Sequence, residues 1–138
     1  HLDFDLDLAV QETDENPVYY VQYAHARIMS IIRKAHQPSC EPVAGMEKYI
    51  TAPEEIALAK NIARFPEVLE DAVRAYEPYM LTYYLIGLAR AFHYFYGACR
   101  VIGEDHDITR ARIALIEKTA EVLRRGMSVL GISCPDRM

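Results

Sequence analysis

The residues best equipped for chemistry sit on two helical faces. Tyr20, Tyr23, Arg27, Ser30 and Lys34 recur at spacings of 3 and 4, so on a helix they share one side. His93, Tyr96 and Arg100 repeat that spacing further along the chain. Aromatic rings beside guanidinium groups suit an unpaired RNA base, which needs a flat partner to stack on and a cation for its phosphate. The same pattern arises when tyrosines pack at a core edge and arginines lay their stems over it. The pattern alone leaves both readings open.

Other chemistries find less support. The five histidines (His1, His25, His36, His93, His106) and three cysteines (Cys40, Cys99, Cys134) form no HxxxH, HExxH or CxxC pair, so no metal site is expected. His93 and Cys99 are six apart and do not share a helix face. Asp3, Asp5 and Asp7 alternate along one strand-like face and are expected to stay solvated. The six glycines are scattered singly and build no phosphate loop. Independent catalysis, and a cofactor of this chain's own, are therefore not expected.

Composition sets the frame. A length of 138 residues fits one domain that can bury a core without disulfide staples. A hydrophobic share of 51% with 25% charged residues is that of a globular chain. Three widely separated cysteines argue against a disulfide framework and for a reducing cytoplasm. The first residues are acidic rather than basic, so no secretory signal is expected.

The net charge of −5 looks unsuited to RNA, but residues 1–16 hold six of the twenty acids and no Lys or Arg. Residues 17–138 carry a net charge of +1. A near-neutral domain can bind RNA through a local patch without a broad basic footprint. Pro78 to Ile102 is apolar, yet Arg90, His93 and Arg100 interrupt it. A spanning helix needs about 20 apolar residues, so this reads as a buried helix.

Periodicity supplies the elements that hold these faces. Leu2, Phe4, Leu6 and Leu8 alternate with aspartates, a strand signal without a partner strand downstream. This stretch is expected to belong to a larger neighbour. Asn16 and Pro17 open the first helix as N-cap and N1, with Val21, Ala24, Ile28, Ile31 and Ala35 as its apolar stripe. Residues 36–52, with Pro38, Pro42 and Gly45, form a loop.

Thr51-Ala52-Pro53-Glu54 reads as a capping box, starting a second helix whose inward residues are Ile56, Ala59, Ile62 and Ala63. Pro66 interrupts it, and a short helix follows through Val68, Leu69, Ala72 and Val73. Pro78 begins the central helix, with Leu81, Leu85, Leu88, Phe92, Phe95, Cys99 and Ile102 as the main core stripe. Gly103 closes it. Asp107 caps a last helix carrying Ile113, Ile116, Ala120, Leu123, Met127 and Leu130, and Gly131 is its C′ residue. The fold class is all-α, a bundle of four main helices and one short one.

Several stretches resemble one family over essentially the whole chain and in the right order. His1-Leu2-Asp3-Phe4-Asp5-Leu6-Asp7-Leu8-Ala9 resembles the end of the catalytic half of arginyl-tRNA synthetase. Asn16 to Ile28 resembles the first helix of its anticodon-binding domain. Asp71-Ala72-Val73-Arg74 is similar to the motif that names this helical domain, with Val where Leu is usual. Phe92-His93-Tyr94-Phe95-Tyr96 resembles the aromatic stretch of its central helix, with His93 where a polar amide is common. Pro135-Asp136-Arg137-Met138 is similar to the family's terminal Pro-x-Arg-Met.

The resemblance implies residues 1–15 as the tail of the catalytic half and residues 16–138 as the helical anticodon-binding domain of a class I aminoacyl-tRNA synthetase. The whole enzyme would use ATP with magnesium to join arginine to its tRNA. The family's two ATP-site signatures do not occur in this chain, which should be inactive alone. The implied partners are the anticodon arm of an arginine tRNA and the catalytic half, with neither membrane nor DNA. Arg27, Tyr96 and Met138 fall where the family places anticodon-loop contacts. Arg100 and Arg137 are further candidates for phosphate, and Tyr23 shares the helical face of Arg27. A module that serves only structure or protein docking is the alternative. Its tyrosine faces would be buried against a partner.

Overall fold

The computed structural model describes residues 13, 15–35, 45–103 and 105–138. The expected strand-like stretch, and most of the 1–15 segment assigned to a neighbouring half, lie outside the described residues. Those residues form five α-helices and no strand: α1 (Pro17–Ala35), α2 (Pro53–Ala63), α3 (Phe65–Ala75), α4 (Tyr79–Ala98) and α5 (His106–Val129). A 3-10 turn, Met46–Tyr49, precedes α2. The bundle expected from the sequence is the one observed.

Local chemistry explains most of the boundaries. The Asn16 side chain accepts from the amides of Val18 at 3.0 Å and Tyr19 at 3.4 Å, two donors that the first turn leaves without helical partners. Gly131, at φ 75°, ends α5 in the left-handed region that glycine enters at least cost. Its amide donates to Ser128 O at 3.0 Å and that of Ile132 to Met127 O at 2.9 Å, a Schellman pair. The end of α3 has the same two bonds, from Tyr76 and Glu77 to Val73 and Ala72, with Tyr76 at φ 57° in the glycine position.

The central helix α4 packs against all four others. Leu81, Leu85, Leu88, Phe92 and Phe95 are buried along it, as their spacing predicts. Each fully buried side chain of this size contributes about 1.5–3 kcal/mol. A Cβ on Gly126 would meet Leu85 Cδ2 at 2.6 Å, so a side chain there would have to displace that of Leu85.

Expectations for four of the helices are corrected. The cap of α5 is Asp105, whose carboxylate accepts from the Ile108 amide at 2.9 Å. Asp107 lies in the first turn and accepts from the Tyr49 hydroxyl at 2.7 Å. At α2 the N-cap is Ala52 rather than Thr51, and the carboxylate that reaches back to the cap amide is that of Glu55 rather than Glu54. The inward face of α2 is consequently Glu55 and Leu58, with Ile56 39% exposed and Ala63 exposed. Helix α3 buries Val68 and Ala72 but leaves Val73 67% exposed. Helix α4 stops at Ala98, and Cys99 takes an extended conformation. That resets the period, so Val101 is buried and Ile102 is exposed.

Candidate nucleic-acid interface

Helices α1 and α4 lie side by side, and their non-core faces meet in an aromatic row. The His93 ring stands 5.3 Å from that of Tyr20 and 5.9 Å from that of Tyr23, the latter stacked. Phe92 stacks with Tyr96 at 6.0 Å. His93 is thus half-buried at the core edge, the blander of its two sequence readings. Tyr23 and Tyr96 remain partly open to solvent.

At the end of the row the Arg27 guanidinium lies over the Tyr96 ring, 5.1 Å from its centroid, with a long 3.5 Å contact from Nη2 to the hydroxyl. This is a cation–π pair with both partners exposed. Beside it opens a cleft of about 500 Å³ walled by α1 and by the chain leaving α4. Arg27, Ser30 and Lys34 line one wall, and Tyr96, Gly97 and Arg100 line the other. The structure therefore brings together Arg27, Tyr96 and Arg100, with Tyr23 one ring further along.

Arg137 and Met138 are exposed and stand outside this lining. They end a tail that crosses α1. Three donors of α1 hold successive parts of its backbone: Gln22 Nε2 to Ser133 O at 2.7 Å, His25 Nδ1 to Pro135 O at 3.0 Å, and Arg33 Nη1 to Asp136 O at 3.1 Å. The carbonyl partner requires that His25 Nδ1 carry the proton. Ala26, between Gln22 and Arg33 on the same side of α1, is only 7% exposed. Sequence reading missed these three residues, although Gln22, His25 and Arg33 share a polar face at helical spacing.

The cleft wall is braced from behind. Glu55 is 0% exposed, and its carboxylate meets Arg112 Nε at 2.6 Å. Its other oxygen accepts from the amides of Thr51 and Ala52, both at 2.8 Å. Burial pushes the Glu55 carboxyl up, but the Ala52, Arg112 and Thr51 donors together hold it below its ordinary value. Arg112 Nη1 also donates to Arg100 O at 2.9 Å.

The thiols of this region are not poised for chemistry. Burial raises that of Cys99, and pushes that of Cys134 up to about 11. Among the described residues no three His, Cys, Asp or Glu converge on a point that could hold a metal ion. No helix among them is long and apolar enough to cross a membrane.

An all-helical domain with a cationic, aromatic cleft is the class of module that the geometry defines. The family model described as the DALR anticodon binding domain matches residues 21–138, and the chain belongs to that family. It is 45% identical, over its whole length, to the arginine–tRNA ligase of Carboxydothermus hydrogenoformans, of which it covers 25%. It is 48% identical over 98% of its length to that of Geotalea uraniireducens, again covering 25% of the relative. The arginyl-tRNA synthetase structure of Thermus thermophilus superposes with a TM-score of 0.81 at 30% identity, over 99% of this chain and 24% of that one. The chain thus spans about a quarter of the length of the relatives it matches.

Proposed function

We propose that this domain docks the anticodon arm of an arginine tRNA, as one part of a cytoplasmic enzyme that joins arginine to that tRNA. The observation that carries the reading is the exposed Arg27–Tyr96 pair at the mouth of a cleft that also presents Lys34 and Arg100. A single-stranded loop offers what such a cleft binds: flat bases and a phosphate at every step. Similarity over the whole chain to arginine–tRNA ligases favours arginine.

Arg27 covers part of the Tyr96 face that a base would stack on. Docking would swing the guanidinium onto a backbone phosphate, where it forms charge-assisted hydrogen bonds, and hand the ring to the base. Tyr96 thus supplies the stacking face, and Arg27 and Arg100 supply cations. The tail stitched to α1 would bring Arg137 and Met138 to the rim, Arg137 toward phosphate and Met138 as an apolar edge. The rest of the enzyme would carry ATP, magnesium and the chemistry; nothing in this cleft takes part in bond making.

A low-salt titration of the chain with the anticodon stem-loop of an arginine tRNA tests the reading. The same loop with its middle anticodon base changed serves as the control. Selective binding is expected. A folded monomer that binds neither loop would overturn the RNA reading and leave a protein-docking module. Self-association through exposed apolar surface, seen by light scattering, would favour that module.

A further inference from the structure

The Glu55–Arg112 pair does more than join two helices. Where α4 ends, its last carbonyls lack helical partners and the chain turns out into an extended stretch. All four residues from Cys99 to Ile102 line the cleft; Cys99 and Val101 are buried, while Arg100 and Ile102 are exposed. Two anchors hold this wall. Gly103 is tied to Thr109 Oγ1, its amide donating at 3.1 Å. Arg100 O receives Arg112 Nη1. The second anchor is itself fixed, because Arg112 Nε is held by a carboxylate whose other oxygen is taken up by the Thr51 and Ala52 amides.

We infer that Arg112, clamped by Glu55, is a positioning residue for the RNA cleft: it sets the path of the Cys99–Ile102 wall and so the place from which Arg100 reaches phosphate. The inference rests on the RNA reading of the cleft. Its physical basis is the planar guanidinium fork, which satisfies a carboxylate and a carbonyl at once in fixed directions. A lysine ammonium keeps the charge but is a point donor without that fork. Well-packed apolar residues could tie α2 to α5 about as firmly as a buried ion pair, yet they could not donate to Arg100 O. The guanidinium is needed for the wall, not for the helix contact.

The test uses the whole chain, with Arg112→Lys as the conservative variant and Glu55→Leu/Arg112→Leu as an apolar replacement. Two readouts are taken: stem-loop affinity against salt, and amide hydrogen exchange across residues 99–103 without RNA. In folded variants the wall amides should exchange faster. Stem-loop affinity should fall as far as in Arg100→Ala, with the slope against log salt lower by about 1. On an Arg100→Ala background, Arg112→Lys should cause no further loss. Unchanged wall exchange overturns the inference whether or not RNA binds. So does a loss that adds in full to that of Arg100→Ala, because Arg112 would then act by another route. If the unaltered chain binds no stem-loop, the RNA reading fails by itself, and the exchange experiment still decides whether Arg112 sets the wall.

Discussion

Two clefts of the molecule present exposed tyrosines, and the neighbours of those rings differ. On the α1–α4 side, Tyr96 sits under Arg27, with Lys34 and Arg100 around one cleft. On the α3–α4 side a second cleft of about 490 Å³ is lined by Tyr79 and Tyr83, with Arg64 and Asp71. There the Tyr79 hydroxyl donates to Glu77 at 3.0 Å, a bond that raises the phenol's pKa, and Tyr76 stands 91% exposed beside it. Exposed rings are common to both regions. Among the described residues, only the first cleft surrounds its ring with cations and no carboxylate, and RNA discriminates on that charge. The second region suits a protein neighbour better than a polyanion.

The largest expected contrast is in stability. The first cleft rests on a buried ion pair, whereas the second lies near the Arg74–Glu70 pair, whose side chains are 72% and 62% exposed. Glu55→Ala would leave Arg112 without its counter-charge and should cost about 3–5 kcal/mol in chemical denaturation. Arg74→Ala should cost about 0.5 kcal/mol or less. Equal losses would mean that the brace is not special. Because Glu55 titrates below its ordinary value when folded, its contribution is present above that value and fades as pH falls through the lowered one. Acid unfolding curves of the parent and of Glu55→Gln should therefore converge once the pH falls below that lowered value.

Binding separates the regions next. Tyr96→Ala should weaken stem-loop binding by about 1–3 kcal/mol, the worth of one stacked base. Tyr83→Ala should leave it unchanged, and matching losses would erase the distinction between the two sites. Arg27→Ala should lower the salt slope by about 1, while Arg64→Ala should not, as titrations at several salt concentrations would show. The smallest effect concerns Tyr76, which holds a left-handed conformation that disfavours a side chain. Tyr76→Gly should raise thermal stability by about 1 kcal/mol without touching RNA affinity.

The sequence made some of this legible and hid the rest for physical reasons. The α4 stripe from Leu81 to Phe95 was readable because a regular helix keeps its period, and it failed at Ile102, where extended backbone replaces helix. Asp105 and Asp107 are equally good caps by type, and only the Ile108 amide distinguishes them. Glu55 was invisible as a core residue, since its burial depends on Arg112, 57 positions away. Arg27 and Tyr96 emerged on separate faces by spacing. That those faces meet, with the guanidinium over the ring, is a fact of helix packing that no local pattern contains.

The most direct measurement is an amide chemical-shift map of the chain titrated with the arginine anticodon stem-loop. The account predicts saturable shifts at Arg27, Ser30, Tyr96 and Arg100, with Tyr79 and Tyr83 unmoved. Shifts centred on Tyr79 and Tyr83, or spread evenly over both regions, would contradict it.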